Sequence, residues 1–383
     1  MKLTQLFRDF FESEKAGGLI LIACTIISLF LANSSFADNY AHIWHAPIAG
    51  QSTEYWINDG LMTIFFLLIG LELEREVYLG ELSNLKDALL PIFGALGGML
   101  VPALLYLFFN WGTATQPGAG IPMATDIAFA LGVLSLLSNR VPASLKIFLT
   151  ALAVIDDLGA ILVIAIFYTK TLLWSNLLIA FGIFALLLLL NRLKVRNLIP
   201  YLIGGIAMWY FMLHSGVHAT ITGVLVAFAI PFGNGDEKST SYVLQHFLHK
   251  PVAFLILPIF ALANTAISIS GNIGDILSRN YSLGIATGLI IGKPLGIFLI
   301  AFIAVKLNIC KLPNDLDWKV LGSVGFLGGI GFTMSIFITL LAFDAVNIIN
   351  NAKFIILLSS LVAGIIGYFF LKLTLKKEIA LSE

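Results

Sequence analysis

Charged residues are scarce in this chain. Of 383 residues, 11% are charged and 59% are hydrophobic, whereas about a quarter of the residues in an ordinary soluble domain are charged. So few charges cannot cover a soluble globule of this size, which excludes a secreted enzyme and a disordered scaffold. Basic and acidic residues number 22 each, so no net positive charge favours nucleic acid, and no nucleic-acid partner is expected.

Cysteine and histidine are scarcer still, with two and six residues. Cys24 lies in an apolar run and Cys310 in a basic loop, and neither has the spacing of a metal ligand or predicts a disulfide. His214 and His218 are four residues apart, but a metal site needs more ligands than one such pair. We therefore expect no cofactor, and we interpret the histidines as pH-responsive groups.

Long hydrophobic runs occupy most of the chain. A membrane-spanning helix needs about 20 mostly apolar residues, and about twelve segments meet that condition. The sequence thus predicts an all-α polytopic membrane protein, a single integral membrane domain over residues 1–383 with membrane lipid as its surroundings. The approximate centres of the segments are Cys24, Leu68, Gly98, Asp126, Ile155, Leu186, Ile206, Leu225, Leu257, Gly292, Gly331 and Val362.

The basic residues predict the orientation of these segments. With the N-terminus inside, 18 of the 22 basic residues fall on the inner side and only Lys170, Arg279 and Lys353 fall outside, while Lys293 lies within a span. Basic loops stay in the cytoplasm. Both ends are therefore expected to be cytoplasmic.

The first outer loop, residues 34–57, is polar and aromatic. Two short alternating stretches flank Gly50 and favour a β-hairpin at the membrane interface. An irregular loop held by Trp44 and Trp56 is the alternative.

Two triplets of segments, residues 88–168 and 282–373, each contain an interrupted middle helix. Pro122 breaks the first within "GIPMATDIAFALG", and Gly329 and Gly331 break the second within "GFLGGIGFTMSIF", because glycine tolerates extended or left-handed backbone. Paired broken helices in inverted repeats indicate a transporter site near the midplane. The alternative is that proline and glycine are simply common in membrane helices.

Broken helices leave partial charges that need partners. A half-helix begins with partial positive charge and ends with partial negative charge. Two breaks side by side would concentrate four such ends. Asp126 and Lys293 are the acid and the base available to stabilise them.

Asp156 and Asp157 are adjacent within an otherwise uncharged span. Each charge at the bilayer centre costs about 3 kcal/mol, so such a pair is expected to have a function. Carboxylates, the Thr125 hydroxyl and unwound carbonyls are oxygen ligands that suit sodium. If a proton and a cation compete for one carboxylate, antiport follows, because loading one releases the other.

Lys293 is the only basic residue deep within a span, and it is the natural counter-charge for one of the two aspartates. A static buried salt bridge is the alternative, although such pairs are weak stabilisers. Either Asp156 or Lys293 is a candidate for a second proton. Glu72 and Glu76 form another acidic pair on one helix face, for which an ordinary helix end at the interface is the simplest interpretation.

The whole chain resembles the NhaA family of bacterial sodium/proton antiporters. The resemblance is carried, in order, by "FFLLIGLELEREV", "GIPMATDIAFALGVLSLL", "FLTALAVIDDLGAI", "HSGVHATITGVL", "ILPIFALAN", "GKPLGI" and "GGIGFTMSIFI". It implies an electrogenic, pH-regulated exchange of sodium or lithium for more than one proton. It also implies that Asp157 is the principal sodium ligand, that Asp156 pairs with Lys293, and that the helix crossing lies at Thr125, Asp126 and Gly331.

The resemblance assigns further roles outside the transport site. It implies a homodimer formed through the hairpin loop, and it places a pH-sensing cluster at Glu72, Glu76, His246 and His249, with His218 tied to the pH response. Gln245 stands where relatives often carry an acid. The activation pH is therefore expected to differ from theirs.

Three other classes were compared with this interpretation. An intramembrane aspartyl protease uses a GxGD arrangement, which "NIGD" at Asn272–Asp275 does not match. A polyprenyl-transferring enzyme uses DDxxD, but no further acid follows Asp157 at that spacing. A passive cation channel is the closest alternative, and obligatory coupling of proton flux to cation flux distinguishes it from an exchanger.

Overall fold

The computed structural model describes residues 5–137, 140–169, 172–268, 272–313 and 315–375. Part of the predicted orientation depends on residues outside these ranges, namely Lys2, Lys170 and both chain ends. The described α-helices are α1 (Gln5–Ala32), α2 (Ala37–His45), α3 (Thr53–Tyr55), α4 (Met62–Tyr78), α5 (Leu85–Asn110), α6 (Ile127–Ser135), α7 (Ala143–Phe167), α8 (Trp174–Arg192), α9 (Ile199–Leu213), α10 (Ile221–Ala229), α11 (Thr240–Pro251), α12 (Leu257–Asn264), α13 (Ile273–Leu277), α14 (Asn280–Thr287), α15 (Lys293–Lys306), α16 (Trp318–Gly328), α17 (Phe332–Ala342) and α18 (Val346–Thr374).

Several helices are continued by tighter or wider turns. The 3-10 segments are Glu81–Ser83 and Gln116–Met123, and the π-helical segments are Trp56–Leu61, Val252–Ile256 and Gly288–Gly292. The three π-helical segments join neighbouring α-helices into longer rods. For example, Asn280–Lys306 forms a single apolar rod of 27 residues.

The helical membrane architecture is confirmed. Within the described residues, eight helical rods are long and apolar enough to cross a membrane, and up to ten if each of two bent pairs is one span. The bent pairs are Ala16–Ala32 with Ala37–His45 and Trp318–Gly328 with Phe332–Ala342. Two of the predicted segments fall on shorter helices, α9 of 15 residues and α10 of nine, which accounts for the larger predicted number.

The chain forms two compact units. The first is built from described residues within Met1–Ile22, Asn84–Asp157 and Ile269–Glu383, and the second from those within Ala23–Ser83 and Leu158–Ser268. Both predicted repeats belong to the first unit, apart from the last turns of α7. Their inverted relation stays a prediction.

In the first unit, α5 and α15 pack at unusually short range. A methyl group added at Gly97 would collide with the carbonyl oxygen of Gly296, and one added at Gly98 would lie 2.9 Å from Ile297 Cγ1. The absence of side chains at these glycines lets the two backbones touch. An apolar core that includes Leu131, Leu152 and Ile297 fills the surrounding space.

In the second unit, α4 and α10 approach through glycines in the same way. A Cβ atom at Gly70 would lie 2.6 Å from Ala227 Cβ, and one at Gly223 would meet the carbonyl oxygen of Thr63. This contact fixes the position of the helix that carries Glu72, Glu74 and Glu76.

The first outer loop is mostly helical, unlike the predicted loop. Helix α2 occupies nine of its residues, and the hairpin is confined to strands β1 (Pro47–Ile48) and β2 (Gln51–Ser52), which pair antiparallel. Ala49 and Gly50 both have positive φ, 50° and 86°, as a two-residue hairpin turn requires. The turn signal at Gly50 was therefore correct, while the helical run before it was missed.

Candidate functional site

The first broken helix is interrupted just after Pro122. Residues Gln116–Met123 form a 3-10 helix, Ala124–Asp126 are unwound, and α6 begins at Ile127. Proline lacks the N–H that would continue an α-helix. The predicted interruption is present, and it leaves the carbonyl oxygen of Met123 outside the helical ladder of α6.

The second break lies between α16 and α17, which meet with a bend of 47°. Gly329 and Gly331 have φ of −72° and −97°, so the expected reason for these glycines, freedom for left-handed or extended backbone, is wrong. Their role is to leave space. A Cβ atom at Gly329 would collide with the carbonyl oxygen of Leu289, and one at Gly331 would collide with the Ser335 hydroxyl.

The two breaks lie side by side and bond to each other. The backbone N–H of Asp126 donates to the Ile330 carbonyl at 2.6 Å, and the Ser335 hydroxyl donates to the Ile121 carbonyl at 2.7 Å. Unwound backbone inside a membrane must find partners within the protein. Here each break supplies them to the other.

The Asp126 carboxylate caps two helices at once. Its Oδ1 accepts from the Phe129 N–H of α6 at 2.9 Å. Its Oδ2 accepts from the Thr333 N–H of α17 at 3.0 Å and from the Thr333 hydroxyl at 2.6 Å. Because helix N-termini carry partial positive charge, one buried carboxylate compensates both.

Asp156 on α7 is held by a base and a hydroxyl. Lys293 Nζ lies 2.6 Å from Asp156 Oδ2 and also donates to the Met123 carbonyl at the end of the 3-10 segment. The Thr125 Oγ1 lies 2.6 Å from Asp156 Oδ2 and 2.9 Å from the Gly328 carbonyl. Since a hydroxyl has one hydrogen, Thr125 donates to one of these oxygens at a time.

All five residues predicted for transport are buried within the first unit. Asp156, Lys293 and Thr125 are fully inaccessible, and Asp157 and Asp126 are each 2% exposed. Asp156 Oδ1 has no hydrogen-bond partner among the described residues. The site thus contains two adjacent carboxylates, one hydroxyl and several unwound carbonyls, which are the oxygen ligands that a hard monovalent cation prefers.

The described residues contain no group of three or more His, Cys, Asp or Glu placed to hold a metal ion. Two adjacent carboxylates with hydroxyl and carbonyl oxygens fit a transiently bound monovalent cation better than a resident transition metal, which prefers nitrogen and sulfur ligands.

Lys293 owes its position to two features of its helix. A π-helical segment, Gly288–Gly292, immediately precedes it, and Pro294 follows it. Such wide turns are frequent at functional sites. The glycine contact between α5 and α15 lies within one turn of Lys293, so the backbone that carries the lysine is closely constrained.

This contact gives a testable prediction for stability. In Gly296→Ala the new methyl group would meet the Gly97 carbonyl and lie 2.9 Å from Val101 Cβ. We expect a loss of about 1–3 kcal/mol of stability, measured as thermal unfolding of the purified protein. Gly182→Ala on α8 is the matched control, since no atom lies within 4 Å of a Cβ there. Equal melting temperatures for the two variants would contradict the close backbone contact between α5 and α15.

The residues predicted for pH sensing are only partly brought together. His249 Nδ1 lies 3.8 Å from Glu72 Oε1, and both side chains are largely buried. His246 is exposed and stacks on Tyr242, and half-buried Glu76 packs its carboxylate against Gly80. His218 Nε2 contacts the Tyr168 carbonyl at 3.0 Å. The structure therefore pairs Glu72 with His249, and the sensing role itself stays a prediction.

Sequence reasoning missed the partners of the predicted residues. Thr333 donates two hydrogen bonds to Asp126. The Met123 carbonyl accepts a hydrogen bond from Lys293, and the Gly328 carbonyl accepts one from Thr125. Thr333 does lie in the motif "GFTMSIF", two residues after a break, where an N-terminal turn with free N–H groups is expected. That position was the available signal.

A multi-pass membrane protein whose two broken helices meet beside buried carboxylates and a buried lysine has the architecture of a secondary transporter. A sequence profile described as Na+/H+ antiporter 1 matches residues 8–371. The chain belongs to this family of transporters.

Individual relatives agree over nearly their full lengths. The chain is 76% identical over 379 residues to the Na(+)/H(+) antiporter NhaA of Flavobacterium psychrophilum, with 99% of each chain covered. It is 63% identical over 372 residues to Na(+)/H(+) antiporter NhaA 1 of Flavobacterium johnsoniae, covering 97% of this chain and 98% of that one. It is 62% identical over 380 residues to the Na(+)/H(+) antiporter NhaA of Cytophaga hutchinsonii, covering 99% and 98%.

Proposed function

We propose that this protein exchanges sodium or lithium for protons across the bacterial inner membrane, with both chain ends in the cytoplasm. The observation that carries the proposal is the fully buried Asp156–Lys293 ion pair beside Asp157, at the junction of two broken helices. The relatives are named as Na(+)/H(+) antiporters, which supports sodium and protons as the exchanged ions, and lithium is added from the family resemblance. No resident cofactor takes part, and sodium and lithium are cargo.

The exchange follows from competition for negative charge. On the outer face, protons load Asp156, Asp157 or Lys293. On the cytoplasmic face, sodium binds Asp157 with oxygen ligands from its surroundings and displaces those protons. A buried carboxylate cannot hold a proton and a cation on the same oxygen, so each ion is released when the other binds. The repeats then move the site between the two faces.

More than one proton enters per sodium ion, which makes the cycle electrogenic. Each net charge moved is driven by about 2.3 kcal/mol per 100 mV of membrane potential. Asp157 and one member of the Asp156–Lys293 pair are the two groups that exchange protons. Lys293→Ala tests whether the lysine carries a proton or is only a structural partner. If Lys293 carries one of the protons, its replacement should make the exchange electroneutral.

Everted membrane vesicles test the exchange activity. The interior is acidified by respiration, and a pH-sensitive dye reports the proton gradient while sodium or lithium chloride is added. We expect each salt to collapse the gradient, and potassium chloride to leave it intact. A gradient that survives sodium addition at every pH would contradict the proposal.

The Glu72–His249 pair gives a prediction for pH control. A charged His249 is attracted to Glu72, and we propose that this pair holds the protein inactive at low pH. His249→Gln removes the pair, so the pH of half-maximal exchange should move to lower pH, and each unit of that shift corresponds to about 1.4 kcal/mol of pairing energy.

His246→Gln is the comparison for this measurement. The His246 ring stacks on Tyr242 instead of facing an acid, and we expect a smaller shift. An equal or larger shift for His246→Gln than for His249→Gln would show that the pairing is not the sensor.

The exposed hairpin of β1 and β2 is the proposed contact of a homodimer. Its strands are only two residues long, and Pro47, Ile48 and Gln51 are all exposed. Deletion of residues 47–52 is expected to convert dimers into monomers, as measured by light scattering of the purified protein. Unchanged mass would place the contact elsewhere.

A further inference from the structure

A cavity of about 590 Å³ lies beside the C-terminal end of α4, within the second unit. Its walls include an acid, two amides and three aromatic rings, from Glu74, Asn191, Asn234, Tyr78, Phe228 and Phe232. We propose that this cavity binds a small organic ammonium ion. None of these residues takes part in the exchange described above.

Glu74 supplies the charge for this site. It is 4% exposed, and its Oε2 is buried without a hydrogen-bond partner among the described residues. Two neighbouring charged residues on α4 are engaged elsewhere, since Glu72 faces His249 and Arg75 lies over the Tyr242 ring. A buried carboxylate that lacks a partner is costly, and a cation brought beside it removes that cost.

The aromatic walls favour an organic cation. The rings of Tyr78 and Phe232 lie 5.0 Å apart at 32° to each other, and aromatic faces attract ammonium groups through their electron density. Asn191 and Asn234 add amide oxygens that accept N–H donors. The set is therefore complementary to an ammonium group that carries an aliphatic substituent.

The same features disfavour the other classes of ion. An anion would be repelled by Glu74. Sodium requires several oxygen ligands at short range. The cavity volume instead lies in the range of small-molecule sites, about 300–1,000 Å³. The ammonium group can come from a free amine or from the ethanolamine headgroup of a phospholipid, because both present the same N–H donors and positive charge.

Ligand-observed saturation-transfer NMR tests the binding. The protein is purified in detergent as the Asp157→Asn variant, so that cation binding at the transport site does not contribute. The probe is n-butylammonium, and n-butanol is its uncharged counterpart. We expect saturation transfer to the butyl protons of the ammonium ion, at least ten times that to butanol, and little displacement by an equal concentration of sodium.

Two further variants locate the site. Glu74→Gln keeps the shape of the side chain and should weaken n-butylammonium binding at least tenfold, while Phe232→Leu keeps the carboxylate and should weaken it several-fold. Asp236→Asn is the matched control, an acid near the cavity that does not line it, and should bind like the parent. Melting temperatures of the three variants are measured to verify that each is folded.

Three results would overturn the proposal: saturation transfer that is unchanged in Glu74→Gln, equal transfer to butanol, or displacement by sodium at equal concentration. A lipid experiment then assigns the source. In nanodiscs, phosphatidylethanolamine should block n-butylammonium binding if the headgroup occupies the cavity, whereas phosphatidylglycerol should not. Binding that is equal in both lipids supports a free amine.

Discussion

Replacing Asp157 by asparagine should abolish sodium/proton exchange. Asparagine keeps the size of the side chain but removes both the negative charge that binds sodium and the oxygen that takes a proton. An interaction with a charged group is worth about 3 kcal/mol, and each 1.4 kcal/mol corresponds to a factor of ten. We therefore expect exchange in everted vesicles to fall by about 100-fold or more.

The matched control for this variant is Asp275→Asn. Asp275 is an exposed acid in the short helix α13 of the same unit, and its replacement should leave exchange unchanged. Both variants must be present in the membrane at the level of the parent protein. Sodium-dependent proton release at the normal rate in Asp157→Asn would show that the ion site has been assigned to the wrong residue.

Replacing Asp126 by alanine should cost both stability and exchange. The change removes three hydrogen bonds to one carboxylate and leaves the N–H groups of Phe129 and Thr333 without their acceptor at two helix N-termini. Leaving buried donors unsatisfied costs about 1–3 kcal/mol each. We expect a loss of about 3 kcal/mol overall, seen as a lower melting temperature, and exchange below a tenth of normal.

Asp126→Asn separates capping from charge. Its amide oxygen can still accept from one helix, so it should lose about half as much stability as alanine. If Asp126→Ala melted like the parent protein, the junction of the two breaks would be held together by other contacts.

The sequence located the elements of this site because each carries a local signal. Pro122 lacks the N–H that would continue an α-helix, and two adjacent aspartates within an apolar run are exceptional at any position. Lys293 was recognised in the same way. These signals depend only on neighbouring residues, so they are visible without a fold.

The partners could not be predicted because they depend on long-range contacts. Thr333 is 207 residues from Asp126, and Gly328 is 203 residues from Thr125. Gly329 and Gly331 show the same limit. Because both residues are glycines, the sequence indicated a flexible break. Their backbone angles are ordinary, however, and glycine is required at these positions because Leu289 and Ser335 leave no space for a side chain. Only the packed structure reveals that requirement.

The most direct test of exchange is a simultaneous measurement of both ions. The purified protein is reconstituted into liposomes loaded with sodium, the membrane potential is clamped, and sodium efflux is recorded together with internal pH. We expect more than one proton to enter for each sodium ion that leaves, and a negative interior potential to accelerate the flux. Sodium efflux with no change in internal pH would identify a passive channel and contradict the proposal.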